Sequence, residues 1–570
     1  MGIDGVMILY FQQRIMFDRS GRFCKNPATM ACAVLWNLRY IESMKTILPS
    51  IRIRPSAVLA TFLGLITTAI AQPLGSTQID SLVERSRRTF NVPGIAVGVV
   101  KDGKLIHAKG YGVANLETGR KVDEHTLFGV ASNSKAFTTA AISMLVDEGK
   151  MGWDDKVVDH IPGFRLYEPY VTEAFTIRDL VTHRSGLGLG AGDLMMWPDG
   201  SDFTRADIIH NLRHLKPVSA FRTKYDYDNL LYIVAGEVVA QVSGIPWEEF
   251  IEQRIMKPLG FRNSTASLKR VKDKTNMIRP HVPVEGKLRV VDIDWSETAN
   301  AAGGIWSNLS DFSRWTLLQL NGGRYGDSLR KRLFSEEMHR EMWSPQTIIP
   351  AYPRPPYQTH FAAYGLGWFL SDVKGHKQVT HTGGLAGIVT QHVLLPEIGL
   401  GIIVLTNQQS GAAFSAISNT IKDGYLGIQG QDWVKTYAEY ERQDFAEADS
   451  IRKKVAGEVE AQKNKYKNGF DFGPYLGTYR DAWFGDIVLS IKNGKPLVAS
   501  KRSPRLSGEL LPYNAQTLVA RWSDRSMDAD AFLIFSIDRN GKPSGFRMEA
   551  ISPLTDFSFD FQDLELKRVD

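Results

Sequence analysis

Ser132 and Lys135 stand three residues apart, and on a helix that spacing puts a hydroxyl and an amine on one face. An amine within reach of a hydroxyl can take its proton as the oxygen attacks a carbonyl, the first requirement of covalent acyl transfer. A second string, Tyr227-Asp228-Asn229, adds a phenol and an amide. A phenol beside a lysine can pass the nucleophile's proton towards a leaving group, and the amide can orient the amine or hydrogen-bond the substrate's acyl group. A third string, His381-Thr382-Gly383-Gly384, ends a β-like run. Its glycines would let a substrate backbone approach a strand edge, and the Gly384 N–H would pair with the Ser132 N–H as an oxyanion hole. His381 would offer a cationic or hydrogen-bonding edge.

Each string alone is equally well explained by a plain structural role: an N-cap, a helix start, a strand-terminal turn. Ser-x-x-Lys recurs here at Ser328 with Lys331, Ser371 with Lys374, and Ser450 with Lys453. Ser132 differs in its surroundings. It follows the apolar Leu127-Phe128-Gly129-Val130 and opens a stretch where Ala136, Thr139, Ala140, Ser143 and Met144 recur at helical spacing. A helix N-terminus there favours negative charge developing beside the Ser132 N–H. The order of the three strings, each with fitting local structure, singles them out.

The positioning elements follow from the pattern. A β-rich run at 94–100, an Asp102-Gly103 turn and a return at 104–108 predict a hairpin. Helical segments and long loops fill 150–345, and strand character returns at 365–370, 378–382, 388–395 and 400–406. The expected fold is α/β, one sheet closed by both ends of the domain with a mainly helical second lobe inserted between. Residues 429–469 read as a charged, helix-forming linker. From 470 to 570, short β-like runs at 486–491, 517–522 and 531–537, with Asn493-Gly494 and Asn540-Gly541 turns, predict a separate antiparallel barrel or sandwich.

The 570 residues carry a formal charge of +6, of which residues 1–71 supply +5. The remainder is too balanced for a phosphate-neutralising surface, so no nucleic-acid partner is expected. From Met44, a basic Lys45, Arg52 and Arg54, an apolar run at 57–70 and Ala69-Ile70-Ala71 predict a signal peptide over 44–71. The apolar run is shorter than a spanning helix needs, so no stable membrane anchor is expected after cleavage. Residues 1–43 then read as an over-extended N-terminus. Cys24 and Cys32 both precede the expected cleavage point, leaving a mature chain, 72 onward, without thiols and destined for the periplasm or exterior. Without an H-E-x-x-H arrangement, neither metal nor other cofactor is expected.

The three strings, together with Asn91-Val92-Pro93-Gly94, Thr182-His183-Arg184-Ser185-Gly186-Leu187, Ala302-Gly303-Gly304 and Tyr364-Gly365-Leu366-Gly367-Trp368, resemble the penicillin-recognising serine hydrolases. These are the class C β-lactamases, D-alanyl-D-alanine carboxypeptidases, D-aminopeptidases and related esterases. The resemblance covers roughly 79–424, within a hydrolase domain expected over 72–428. It implies a β-lactamase-like sheet flanked by helices and Ser132 as the acylated nucleophile. Lys135 and Tyr227 become the proton-handling pair, with Asn229, His381, Thr382, Gly383 and Gly384 binding substrate. The last hundred residues look like an accessory barrel that some members carry. His381 stands where β-lactamases of this family have lysine, and no class A type deacylating glutamate is assignable, so a small peptide or ester is the expected substrate. Peptides with D- or unusual residues, linearised cyclic peptides such as linear microcystin among them, are favoured. An esterase of the same fold and a non-catalytic penicillin- or peptide-binding protein are the alternatives. Oligomeric state is not legible.

Overall fold

The computed structural model describes residues 73–466 and 469–569; the expected leader, the segment before it and both cysteines lie outside the described residues. Helix α1 (Ser76–Thr89) leads into the hairpin β1 (Gly94–Lys101) and β2 (Lys104–Gly112). Its turn residues Asp102 and Gly103 both take positive φ, the backbone that lets a two-residue turn follow the strands' twist. Helices α2 (Lys135–Asp147), α3 (Leu230–Ser243) and α4 (Leu309–Leu320) belong to the long middle of the chain. The chain then returns to the sheet as β3 (Thr347–Ile349), β4 (Ala362–Tyr364), β5 (Phe369–Val373), β6 (His376–Leu385), β7 (Ile388–Leu395) and β8 (Leu400–Thr406). The strands lie in the order β2-β1-β8-β7-β6-β5-β4-β3. Val97 of β1 faces Val404 of β8, so the first and last strands of the domain pair inside the sheet, one strand from its β2 edge.

The central strands are buried on both faces. Ile95, Val97, Val99, Ile402 and Val404 pack on one side against Ile79 and Val83 of α1; Ala96, Ile403 and Leu405 face the other core, with α2 and α4. Such strands read as continuous apolar runs rather than alternating ones. Gly401 lets α4 lie close on the sheet, since a Cβ there would fall 2.4 Å from Thr316 Cγ2. Phe137 of α2 stacks on Trp315 of α4 at 3.8 Å between ring centroids, which fixes the helix that follows Ser132 onto that packed layer. The strand expected at 365–370 begins only at Phe369. Tyr364 pairs with Phe369 across a tight reversal in which Gly367 takes positive φ, so the glycines there turn the chain instead of extending it.

Helices α5 (Gly411–Leu426) and α6 (Trp433–Lys465) lead to the C-terminal unit. Its strands are β9 (Gly477–Asp481), β10 (Gly485–Lys492), β11 (Lys495–Ser500), β12 (Ser507–Asn514), β13 (Thr517–Trp522), β14 (Ala531–Ile537), β15 (Pro543–Ala550) and β16 (Leu566–Arg568). They close into an antiparallel barrel, which settles barrel against sandwich. Closure leaves no free strand edge. Tyr479, Phe535 and Phe546 pack edge to face and tilted within it, beside Leu489, Leu518 and Met548, so side chains fill its interior. The barrel docks on the helical lobe. Arg502 lies 3.7 Å over the Phe203 ring and bonds Asp202, Arg505 pairs with Asp294, and Asn211 donates to the Trp483 carbonyl. Among the described residues no single helix is long and apolar enough to cross a membrane.

Candidate active site

The turn that carries Ser132 is held from several directions. Val130 N–H donates to Ile305 O, and the Val130 carbonyl accepts from Asn133 Nδ2 and Thr390 Oγ1. Ala131 takes a φ of 49°, a left-handed conformation costing about 1–3 kcal/mol in a residue with a side chain. That kink starts a 3₁₀ turn, Ala131–Ser134, which runs directly into α2 and leaves Ser132 half-buried at the helix entrance. Ser134 Oγ accepts the Ile305 N–H, so both sides of the turn are pinned.

Lys135 is fully buried without a contacting carboxylate. Its Nζ lies 3.0 Å from Ser132 Oγ, 2.7 Å from Asn229 Oδ1 and 3.0 Å from the Ala302 carbonyl. The Tyr227 hydroxyl lies 2.7 Å from the same Ser132 oxygen. Burial drives the Lys135 pKa from 10.5 down to about 7, while the charges of Asp193 and Asp228 act the other way. Burial pushes the Tyr227 phenol above its ordinary value. These opposite displacements assign the protons. The phenol keeps its proton and donates to Ser132 Oγ, and the amine is the group that exchanges one near neutrality. Asn229 Oδ1 and Ala302 O accept only, so a neutral Lys135 satisfies them with its two N–H bonds and turns its lone pair to the Ser132 hydroxyl. Amine, hydroxyl and phenol are thus arranged for deprotonation of Ser132 by Lys135.

The sequence model of the Beta-lactamase family matches residues 79–423, a span containing every residue of this cluster. The chain belongs to the Beta-lactamase family. Its fold is that of the family's serine hydrolases, and residues 471–568 match a separate model, a domain of unknown function (DUF3471), which coincides with the barrel. Unguisins hydrolase ungD of Aspergillus violaceofuscus is 28% identical over 390 residues, covering 64% of this chain and 68% of that protein. Protein flp of Staphylococcus aureus is 28% identical over 340 residues, 58% of this chain and 63% of that one. An octameric penicillin-binding protein homologue from Pyrococcus abyssi shares the fold, with a TM-score of 0.55 at 22% identity over 86% of this chain and all of that one.

Within this family member, β6 runs past the end of β5. The last β5 pairing is Phe369 with Thr380, while residues 381–385 stay paired to β7 and leave their other edge open. Of the cationic or hydrogen-bonding edge expected of His381, the cationic alternative needs correction. His381 is 1% exposed, its Nδ1 lies 2.6 Å from the Thr382 carbonyl and its Nε2 2.9 Å from the Tyr364 hydroxyl. A carbonyl can only accept, so Nδ1 carries the hydrogen and Nε2 accepts from Tyr364. Burial, then the charge of Lys135, hold its pKa well below the ordinary histidine range, so the ring is neutral and internally satisfied. The glycines also divide their roles. A Cβ on Gly383 would lie 2.2 Å from Val130 O, so this glycine brings β6 against the nucleophile's own turn. Gly384 is exposed with open space at its Cβ position, and Thr382 is half-buried beside it.

Several residues at the site escaped the sequence reading. Asp193, fully buried, accepts from Asn229 Nδ2 at 2.8 Å. His183 packs its ring 4.2 Å from that of Tyr227 and accepts the Asp228 N–H on Nδ1. His183, Ala302 and Tyr364 lie in strings that carried the family resemblance, so only their roles were missed. Asp193 carried no signal, because its partner is 36 positions away. The three other Ser-x-x-Lys pairs lie in a loop, on β5 and on α6, away from these partners.

Proposed function

We propose that the protein is a serine hydrolase that acylates Ser132 and acts as a peptidase on small peptides containing D- or unusual residues. One observation carries the reading: a single hydroxyl oxygen lies within hydrogen-bond distance of a buried amine with a pKa of about 7 and of a protonated phenol. Lys135 takes the Ser132 proton as Oγ attacks the acyl carbon. The developing oxyanion is received by the backbone N–H groups of Ser132 and Gly384. Tyr227 then gives its proton to the leaving nitrogen, the nearest basic atom on the same carbon, and is reprotonated at the expense of Lys135. Water repeats the sequence in reverse to release the acid. Asn229 fixes the amine, and Thr382 with the open β6 edge aligns the substrate backbone.

The unguisins hydrolase is named as a hydrolase, which supports hydrolysis as the reaction, and linearised cyclic peptides such as linear microcystin fit the proposed substrate class. We also propose export, with Gln72 as the mature N-terminus, which N-terminal sequencing checks. Intact-mass spectrometry after a fluorophosphonate or a penicillin, with the adduct mapped, tests the nucleophile. The expected adduct sits on Ser132 and disappears in Ser132→Ala; retained labelling in that variant refutes the assignment. A panel of D-amino-acid peptides, p-nitrophenyl esters and nitrocefin then ranks the chemistry. Ester turnover far above amide turnover would make the protein an esterase, and an unlabelled, inactive protein would make it a binding protein.

A further inference from the structure

The C-terminal barrel reaches the proton-handling residues through one loop, residues 551–565 between β15 and β16. Asp560 is fully buried and turns its carboxylate away from the barrel to accept the backbone N–H of Gly192 at 2.5 Å and of Leu194 at 3.0 Å. Residues 190–195 lie directly between this loop and the site. Their Gly190 N–H donates to the Tyr227 carbonyl, and Asp193 accepts from Asn229. Phe557, on the same loop, meets the Tyr227 ring edge to face at 5.8 Å between centroids. Its carbonyl would lie 2.6 Å from a Cβ on Gly190, so the two segments touch backbone to backbone.

The side-chain amide of Asn229 gives this contact a consequence. Turned one way it offers Lys135 an acceptor; turned the other it offers two N–H donors that cannot pair with an ammonium or with an amine's N–H. Asp193 removes the choice, because its Oδ2 accepts from Nδ2 and so leaves Oδ1 for Lys135 Nζ at 2.7 Å. The second oxygen, Asp193 Oδ1, is buried without a hydrogen-bond partner, and beyond Asn229 the side chain meets only Ser558, which belongs to the same barrel loop. What places it is the backbone on either side, Gly192 and Leu194, and both are tied to Asp560. We propose that Asp193 is a positioning residue that sets the Asn229 amide for Lys135, and that the barrel loop holds it there through Asp560. The barrel is then part of the active site and not only an appended module. This rests on the assignment of Ser132 and Lys135 made above.

The test uses the full chain and a fluorophosphonate probe, with the rate constant for labelling at saturation and the probe's half-saturation concentration measured separately. Labelling of the parent protein at Ser132 checks the underlying assignment independently. Given that, Asp193→Leu is expected to slow the saturated rate by about 10- to 100-fold with little change in half-saturation, since it frees Asn229 to turn. Asp193→Asn keeps an acceptor oxygen and should recover most of the loss. Asp560→Ala should reproduce the slowing, with Asp560→Asn between it and the parent. Lys216→Ala, which breaks the exposed ion pair with Glu565 in the same interface, should label as the parent does. Parent-like saturated rates in Asp193→Leu and Asp560→Ala would overturn the proposal. So would losses shared equally by the Asn variants, or losses matched by Lys216→Ala. If Asp560→Ala does not fold, Phe557→Leu keeps the loop apolar and removes its ring from Tyr227; a parent-like saturated rate there refutes the barrel's part.

Discussion

Replacing Lys135 with methionine should change how stability depends on pH, by an amount fixed by the lysine's burial. Its pKa falls from 10.5 to about 7 because desolvation outweighs the opposing charges of Asp193 and Asp228. That fall corresponds to about 5 kcal/mol by which the folded state disfavours the ammonium. Below pH 7 both folded and unfolded chains hold the proton, and the whole penalty is present. Between pH 7 and about 10.4 only the unfolded chain holds it, so stability rises with pH at up to about 1.4 kcal/mol per unit. Above that range the contribution is gone. Lys135→Met removes the titrating group and leaves Asn229 Oδ1 and Ala302 O without a donor, at a cost that does not vary with pH. Urea unfolding of parent and variant at pH 7, 8 and 9 isolates the lysine, since the other groups largely cancel in the difference. The parent's stability relative to the variant is expected to climb by about 2.5 kcal/mol over those two units. A flat difference would mean that Lys135 is an ammonium throughout, and Lys135 could not then be the base.

Tyr227→Phe should lower acylation by amides about 100- to 10,000-fold and by p-nitrophenyl esters much less, because only the amine leaving group needs a proton; equal losses would remove Tyr227 from that role. Gly383→Ala forces a methyl to within 2.2 Å of Val130 O, so β6 must move off the nucleophile's turn. Thermal unfolding should show a loss of about 1–3 kcal/mol along with slow labelling, and a parent-like variant would contradict the close approach. His381 is neutral and Lys135 is fully buried, so neither position offers a hydrated cation to a substrate carboxylate. Amino-acid p-nitroanilides with a free amine should be cleaved faster than their N-succinyl derivatives, and the reverse order would refute this electrostatic reading.

That Ser132, Lys135, Tyr227 and the glycine-rich strand meet was legible because each proposed chemical role needs a particular residue type at a short, helix- or strand-dictated spacing. Ser132 and Lys135 are one helical turn apart, and Tyr227 and Asn229 lie two positions apart at a helix entrance. The front hairpin was legible for the same local reason. What could not be read depends on which distant segments meet. The Gly365–Trp368 reversal looks extended until Tyr364 is seen opposite Phe369. Asp560 lies 368 positions from Gly192, and nothing in either neighbourhood marks the pair.

His381 shows how far local legibility extends. Its residue type could be read, but its charge could not, because charge is a property of the surroundings. An imidazole on an open strand edge would be hydrated and titrate near its ordinary value. The Tyr364 hydroxyl comes from β4, two strands away, and closes over Nε2, while Phe369, Tyr227 and Tyr364 bring their rings within 6.3 Å of it. Those neighbours remove water, and the charge of Lys135, at the start of α2, adds repulsion to a positive charge on His381. With Lys135 fluctuating between amine and ammonium near neutrality, a permanently cationic His381 would depress the lysine further and move its working range to lower pH. A neutral, hydrogen-bonded histidine leaves the lysine's pKa to burial and to Asp193 and Asp228. The strand proposed to align the substrate would therefore also keep the proposed base in its useful range, and a lysine at position 381 would require compensating negative charge close to Lys135.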